Sequence, residues 1–456
     1  MKKKVSAEIV VCGAGIAGVA TAYFLSVKYG INNIVLVDAQ SPMTLTSDKS
    51  TECYRNWWPG PGSSMVQMMN RSIDLMDALA VETGNLFHLN RRGYLYVTLE
   101  KENIDSLSGF AEEASGLGAG EFRIYSPGEK GYQPSNSEGF ENAVSGADLI
   151  TNQDMIKEHF PYLSDDTVGV LHVRRAGWMS AQQFGMYLLE QAKVNGVTFV
   201  QDRVVDVITK GRSISGVKLA SGDEINTSIF VNAAGPYLAE IGEMIGEVIP
   251  VSNELHLKMA FNDTEKIIDR DAPLVIFADE QQLEWGPDEY ELLSKDDEMR
   301  WLTQTLPSGA HTRPEGGAGA ESLLVLWDTQ IKEVEPIFPP PTDEFYGEIA
   351  IRGLSNMIPG MQAYRERLPK MSVDGGYYTN TQENRPLASP LGVEGAYIIG
   401  AMSGYGIMAA TGMGELTAMH ITGADLPVYA DDFLLTRYSD PNYQALLENW
   451  GNSWQL

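Results

Sequence analysis

The sequence predicts an α/β fold in which parallel strands alternate with helices. Three observations lead there. A buried strand, a Gly-rich turn, a helix and a second buried strand follow one another within the first 38 residues. A strand, a glycine turn and a helix return near the other end, at 396–421. Between them lie further short strands and a hairpin, bounded by turn residues.

In chain order, Glu8-Ile-Val-Val-Cys12 reads as a short buried strand, 16–29 as a helix stopped by Gly30, and Ile34-Val-Leu-Val-Asp38 as a second buried strand. Strand, turn, helix and strand in so short a span make a βαβ unit with parallel strands. Residues 65–79 carry apolar residues at helical spacing, and 93–97 reads as a strand. The stretch 106–146, rich in Gly, Ser and Glu, reads as peripheral loop with some helix. An amphipathic helix over 182–195 precedes strands at 198–200 and 204–209. Segments 213–219 and 224–230 read as a hairpin running into Val231-Asn-Ala-Ala-Gly235. Residues 256–261 alternate as a strand, 309–327 bracket another around Gly316-Gly-Ala-Gly319, and Phe338-Pro-Pro-Pro341 is a connection. Ala396-Tyr-Ile-Ile-Gly400 is a late buried strand and 406–421 the helix after it. No repeat of solenoid period is present.

Composition bounds the function. At roughly 100–200 residues per domain, a chain of 456 residues holds two or three domains, or two interleaved ones. The formal net charge of −28 argues against nucleic acid and against anionic membrane surfaces, both of which need clustered Lys and Arg. No apolar run is long enough for a membrane span. The start, Met1-Lys-Lys-Lys-Val-Ser-Ala-Glu8, is too short and too acidic for a signal peptide. Cys12 and Cys53 are the two cysteines, which excludes a disulfide scaffold and a multi-thiolate metal site and makes a reducing cytoplasm the expected home. The histidines show no metal-ligand spacing, and no metal is expected.

The turn Gly13-Ala-Gly15-Ile16-Ala17-Gly18 carries the first chemistry. Its first glycine allows the tight turn, its second lets backbone approach a pyrophosphate, and its third lets helix and strand pack closely. The helix that follows presents N–H groups and the positive end of its dipole to phosphates. Asp38, followed by Ala39, ends the second strand, where a carboxylate can accept hydrogen bonds from a ribose. With strand before, helix after and acid at this distance, the motif reads as a dinucleotide site. The motif alone leaves FAD and NAD open, while Asp38 would repel the 2′-phosphate of NADP.

Later segments bear on that choice. Val231-Asn-Ala-Ala-Gly-Pro-Tyr237, Gly177-Trp-Met-Ser180 with the helix and strands after it, and Ile399-Gly-Ala-Met-Ser-Gly-Tyr-Gly406 resemble motifs of the D-amino-acid oxidase superfamily of flavoproteins, in order along nearly the whole chain. Within that superfamily the sequence is most similar to the sarcosine and dimethylglycine oxidase/dehydrogenase branch and to glycine oxidase. The resemblance implies FAD and a discontinuous Rossmann-like FAD-binding domain (1–88, 147–248 and 371–425). It further implies an α+β insert, an antiparallel or mixed β-sheet substrate domain (89–146 and 249–370) roofing the flavin, and a C-terminal tail (426–456). It implies oxidation of a C–N bond beside a carboxylate by hydride transfer to flavin N5, giving an imine that hydrolyses. It places Ser50 and Thr51 by the pyrophosphate and flavin, Val204 by the adenine, and Ala233, Ala234 and Gly235 by the nucleotide half. Gly404, Tyr405, Gly406 and Ile407 then lie at the N1–O2 edge of the flavin, where a helix N-terminus stabilises negative charge.

The sequence also departs from these relatives. Gly376 stands where monomeric sarcosine oxidases carry a flavin-linked cysteine. Cys53 falls where dimethylglycine dehydrogenases carry a flavin-linked histidine; it either bonds the flavin methyl carbon or simply packs near the ring. Tyr378 replaces the substrate-binding arginine of glycine and D-amino-acid oxidases, and Met408 the lysine of sarcosine oxidase. Arg55, Lys258 and Arg313 are the candidate compensating cations. His256 shares a strand face with Lys258, which looks toward either the flavin or solvent, and His311 with Arg313 poses the same choice. Trp57, Trp58, Tyr377, Tyr378 and Tyr405 are expected to converge on a wide apolar pocket suited to a bulky or N-substituted substrate. The expected partner is a small amino acid or amine, and the protein a monomer or small homo-oligomer. Two other readings stay open: a 2-hydroxy-acid oxidase or dehydrogenase, and a flavin-bearing electron-transfer subunit.

Overall fold

The computed structural model describes residues 4–58, 60–317, 319–448 and Trp450. Its first organising layer is a six-stranded sheet in the order Val197–Gln201, Ile34–Asp38, Ile9–Cys12, Ile229–Asn232, Ala396–Gly400, Leu387–Pro390. All its pairs are parallel except the last, which is antiparallel. The four inner strands are near-continuous apolar runs, as strands covered on both faces must be, while the edge strands Val197–Gln201 and Leu387–Pro390 are more polar. Helices Ile16–Tyr23, Ser64–Thr83, Ala181–Val194 and Gly406–Thr422 bury their apolar residues in one core against this sheet. The last of them comes very near its neighbours. A Cβ on Gly414 would lie 2.9 Å from Ala20, and Ser72 Oγ donates to the Met408 carbonyl at 2.5 Å. A four-stranded sheet, Lys4–Ser6, Glu224–Asn226, Ser213–Leu219 and Val204–Lys210, lies beside it.

The second layer is a nine-stranded mixed sheet: Ser372–Asn380, Ser252–Asn262, Ser322–Leu326, His311–Pro314, Leu274–Phe277, Tyr94–Thr98, Gly169–Val173, Ala147–Ile150, Phe122–Tyr125. Helix Tyr346–Met357 covers one of its faces through a separate core containing Trp327, Ile351 and Leu354. A two-stranded ribbon, Cys53–Arg55 with Ala176–Trp178, joins the layers.

Several elements differ from the sequence reading. The helix after the glycine turn runs as Ile16–Tyr23 and continues as a wider turn over Phe24–Lys28, with Gly30 left-handed behind it at φ +70°. Segment 224–230 is two strands: Glu224–Asn226 pairs with Ser213–Leu219, whereas Ile229–Asn232 enters the six-stranded sheet. Thr227, whose hydroxyl donates to the Glu8 carbonyl, marks the crossing. Residues 309–327 form a hairpin of two strands. Segments 147–150, 169–173 and 372–380, which the sequence grouped with the nucleotide-binding side, pair within the nine-stranded sheet. Burial of a strand follows from its composition; the sheet it joins depends on distant partners. No helix among the described residues is long and apolar enough to cross a membrane.

Candidate functional site

The glycine turn is built as its spacing predicts. Gly13 holds φ +112°, and a Cβ there would lie 2.2 Å from the Ala233 carbonyl oxygen. A Cβ on Gly18 would lie 1.9 Å from the Gly13 carbonyl oxygen, so that glycine sets the helix-to-strand distance. Gly15 differs: its Cβ would meet only Ser47 Oγ, at 3.2 Å. Ser47 Oγ accepts the Ile16 N–H at 2.9 Å. Asp38 accepts from the Ala14 N–H at 2.7 Å and from the Gln40 N–H at 2.8 Å. Burial pushes its carboxyl up, against the pull of those two bonds. Asp38 therefore braces the turn as well as facing the cleft.

That cleft, of about 340 Å³, is lined by Gly13, Gly15, Asp38, Ala39, Val204, Ala233, Ala234 and Gly235. The sequence did not point to Thr46, Ser47, Arg203, Tyr237 or Phe338, which also line it. Segment 44–53 leads out of it: Thr44 to Ser47 line the cleft, whereas Thr51 and Cys53 line a second cavity of about 290 Å³.

The wall of this second cavity comes from both layers. Gly404 and Tyr405 belong to the late strand–helix turn and Met408 to the helix after it; His256, Leu274, Ile276, His311, Leu326, Asp328 and Tyr378 come from the nine-stranded sheet and its edges; Arg55 ends a ribbon strand and Trp58 follows it. A Cβ on Gly404 would lie 2.5 Å from the Tyr378 ring, so glycine is what lets this phenol close on the turn. On its other side the ring stacks on His256 at 3.6 Å between centroids. Tyr405 meets Trp58 edge-on at 4.9 Å and donates its hydroxyl to the Asn384 carbonyl at 2.6 Å.

The cavity holds an asymmetric set of charges. Arg55, 6% exposed, lies over Trp58 at 4.7 Å and donates Nε–H to the Trp57 carbonyl at 3.2 Å. Its terminal nitrogens have no hydrogen-bond or carboxylate partner among the described residues. His256 lies 2.7 Å from Asp328 through Nδ1 and 3.3 Å from Glu254 through Nε2. Burial disfavours its charged form, but the two carboxylates outweigh burial and raise its pKa to about 9. His311 is the opposite case. Burial, with Arg55 and Arg313 adding to it, pushes its pKa down.

Lys258 and Arg313 turn to a different task. Lys258 Nζ donates to the carbonyls of Ser50 at 2.9 Å and Asp48 at 3.2 Å, and burial lowers its pKa. Arg313, with no exposed surface, donates Nε–H to the Thr51 carbonyl at 2.8 Å and pairs with Glu315 at 2.5 Å. Both fasten the 48–51 loop, and neither lines the cavity. Ser50 Oγ accepts the Glu52 N–H at 2.9 Å. Cys53 is a free, buried thiol raised by burial, and its Sγ–H donates to the Thr51 carbonyl at 3.1 Å.

An adenine-side cleft with the glycine turn at its floor, a connecting segment and a ring-sized cavity at a helix N-terminus fit an extended flavin dinucleotide. Comparison with known proteins agrees. Residues 8–419 match the DAO family, described as FAD dependent oxidoreductase. The chain belongs to this family. Its fold is that of solved DAO-family structures. L-proline dehydrogenase from P. horikoshii superposes with a TM-score of 0.71 at 21% identity, covering 96% of this chain and 99% of that one. Glycine oxidase from Geobacillus kaustophilus superposes at 0.72 and 15% identity, covering 95% and 99%. Among curated relatives, the mitochondrial pyruvate dehydrogenase phosphatase regulatory subunit of Mus musculus is 28% identical over 55% of this chain and 25% of its own length. Mitochondrial dimethylglycine dehydrogenase of Rattus norvegicus is 25% identical over 59% and 28%. The chain spans about a quarter to a half of the length of the curated relatives it matches.

As a DAO-family protein the chain is an FAD-dependent oxidoreductase, and the remaining expected site residues fall as follows. Ile16, Ala17 and Gly18 form the first turn of the helix behind the glycine turn, and Gly406 and Ile407 that of the late helix, without lining either cavity. Of the five aromatics expected to converge, Trp58, Tyr378 and Tyr405 do. Trp57 packs against Tyr96 at 5.2 Å, and the Tyr377 hydroxyl clamps the backbone of Ile337 at 2.8 and 2.9 Å.

Proposed function

We propose that this oxidoreductase oxidises the C–N bond of a primary or secondary (N-alkyl) amino acid to an imine. The observation that carries this reading is Arg55: a guanidinium buried in an aromatic wall, with terminal donors that no carboxylate among the described residues uses. A buried cation without a partner is costly unless a ligand supplies one. Its planar fork suits a carboxylate, bound bidentately. Bound FAD supplies the two-electron acceptor. Arg55 fixes the substrate carboxylate, while Trp58, Tyr378 and Tyr405 exclude water and set the width available to the rest of the molecule. Solved structures of the same fold, among them iminodiacetate oxidase from Chelativorans sp. BNC1 and L-amino acid deaminase from Proteus vulgaris, support amino and imino acids as the substrate class.

The test is anaerobic bleaching of the flavin band by sarcosine, dimethylglycine, larger N-alkyl amino acids, D- and L-amino acids and 2-hydroxy acids. Reduction by amino acids, with Arg55→Lys weakening substrate binding by about 10–100-fold, the worth of roughly 1.5–3 kcal/mol in charged hydrogen bonds, is the expected result. Reduction by 2-hydroxy acids alone overturns the amine reading.

A further inference from the structure

We propose that His311 is the proton acceptor that converts a bound amino acid from its ammonium form to the free amine. This rests on the amine reading above. The geometry fixes the state of the ring. Nδ1 lies 2.8 Å from the Gly309 carbonyl oxygen, which can only accept, so Nδ1 carries the hydrogen. Nε2 then holds the lone pair of a neutral imidazole. It makes no hydrogen bond to the described residues, and the ring lines the cavity. His256, the other imidazole in the wall, has both nitrogens against carboxylates and no lone pair to offer.

His311 is also placed where an amine would arrive. Its strand pairs it with Ile276 on one side and Leu326 on the other, both in the cavity wall. Arg55, Arg313 and Asp328 act on it electrostatically. The other titratable groups in the wall are Cys53, Tyr94, His256, Tyr378 and Tyr405. A substrate held by its carboxylate on Arg55 arrives as a zwitterion, and an ammonium nitrogen has no lone pair from which a C–N double bond can form. Transfer breaks one N–H bond of the ammonium and forms Nε2–H on His311. The ammonium electron pair stays on the substrate nitrogen, and the imidazolium is offset by Asp328. Nothing is oxidised or reduced in this step.

The experiment uses the FAD-loaded protein and the fastest amino acid substrate. Anaerobic flavin reduction is followed from pH 5.5 to 10 for wild type, His311→Asn and His311→Gln, reading the ratio of reduction rate to apparent Kd. In the wild type the ratio should rise to a plateau well below the pKa of the free substrate ammonium. In the variants the rise should move to the ammonium pKa itself, with about a 100-fold loss at pH 7 that closes by pH 10. A simple carboxylate inhibitor such as 2-furoate should keep its wild-type Kd in both variants, which a merely structural role would not preserve. Variants with the wild-type profile overturn the assignment. If neither variant retains FAD, a wild-type ratio that climbs with unit slope up to the ammonium pKa overturns it as well. Failure of the amine reading looks different: no amino acid bleaches the flavin at any pH.

Discussion

Gly15 and Gly18 stand three residues apart in one turn, yet the structure assigns them opposite consequences on substitution by alanine. At Gly18 the new methyl would sit 1.9 Å from the Gly13 carbonyl oxygen and must retreat by about 1.1 Å to reach even 3.0 Å, closer than Cβ atoms come. The obstacle is backbone at the start of the central helix, so the helix must lift off the sheet. Overpacking of this kind costs about 1–3 kcal/mol in ordinary cores, and the upper end applies where backbone must move. At about 1 kcal/mol per degree for a chain this long, scaled from the per-residue unfolding entropy, the apoprotein midpoint should fall about 3 °C. At Gly15, φ is −71° and the methyl meets only a hydroxyl, at 3.2 Å, which can give by a few tenths of an ångström. Gly15→Ala should therefore leave apoprotein stability within about 0.5 kcal/mol and instead weaken FAD binding by at least about tenfold, because the methyl occupies the approach to the pyrophosphate. Thermal unfolding of the apoproteins, followed by FAD titration with flavin fluorescence as readout, separates the two effects. Equal loss of stability in both variants, or wild-type FAD affinity in Gly15→Ala, would refute the reasoning.

Other outcomes follow from single contacts. Cys53→Ala should retain FAD, and acid should release unmodified flavin from the wild type, because burial keeps the Cys53 thiol protonated; a flavin-bearing Cys53 peptide in the mass spectrum contradicts this. Glu415, whose side chain is 3% exposed, pairs with Lys28 at 2.7 Å and Arg71 at 2.6 Å; burial pushes its pKa up, the two cations more than reverse this, and the net value lies below the ordinary one. Its contribution is present above the unfolded-state pKa and is lost as pH falls through the depressed folded value. Glu415→Gln should therefore cost about 1–3 kcal/mol at pH 7, less than a fully buried pair because Lys28 and Arg71 can rehydrate, and urea midpoints should converge with the wild type near pH 3. For His256 the sign reverses: the raised pKa of about 9 gives stability that is full below about pH 6.5 and lost as pH rises through about 9. That is on the order of 3 kcal/mol, and Asp328→Asn should flatten the decline seen in urea titrations across this window.

The parts readable from the sequence are those whose physics is local. Ile34–Asp38 and Ala396–Gly400 are apolar runs closed by Asp or Gly, Ser213–Leu219 is an alternating run before a Ser-Gly turn, and the structure has all three at the bounds the pattern suggests. The glycine turn and the strand end at Asp38 and Ala39 are likewise local, whereas Val204 and Ala233 to Gly235 join them in the cleft from about two hundred positions further along the chain. Cys53–Arg55 carries little signal of its own; it exists because Ala176–Trp178 lies beside it, over a hundred positions away in the chain. Leu274–Phe277, by contrast, is a Leu-Val-Ile-Phe run that is legible as a buried strand, although its pairing with Tyr94–Thr98 is not.

The same limit explains the three cations. Arg55, Lys258 and Arg313 have equal claims on a carboxylate when judged by residue type. What separates them is whether their donors are already in use, and that is decided by the 48–51 loop. Its carbonyls at Asp48, Ser50 and Thr51 point toward the sheet and take up Lys258 and Arg313. The loop thereby gains a fixed position between cleft and cavity at the expense of two cations. Arg55 leaves the ribbon two residues beyond Cys53, past the last of these carbonyls, and stacks on Trp58 instead. Aromatic stacking holds a guanidinium by its face and leaves its edge donors free. Arg313 also lies over a ring, that of Trp178, but its nitrogens are committed to Thr51, Pro314 and Glu315; Arg55 commits only Nε, to the Trp57 carbonyl, and that difference is what leaves it available to a ligand.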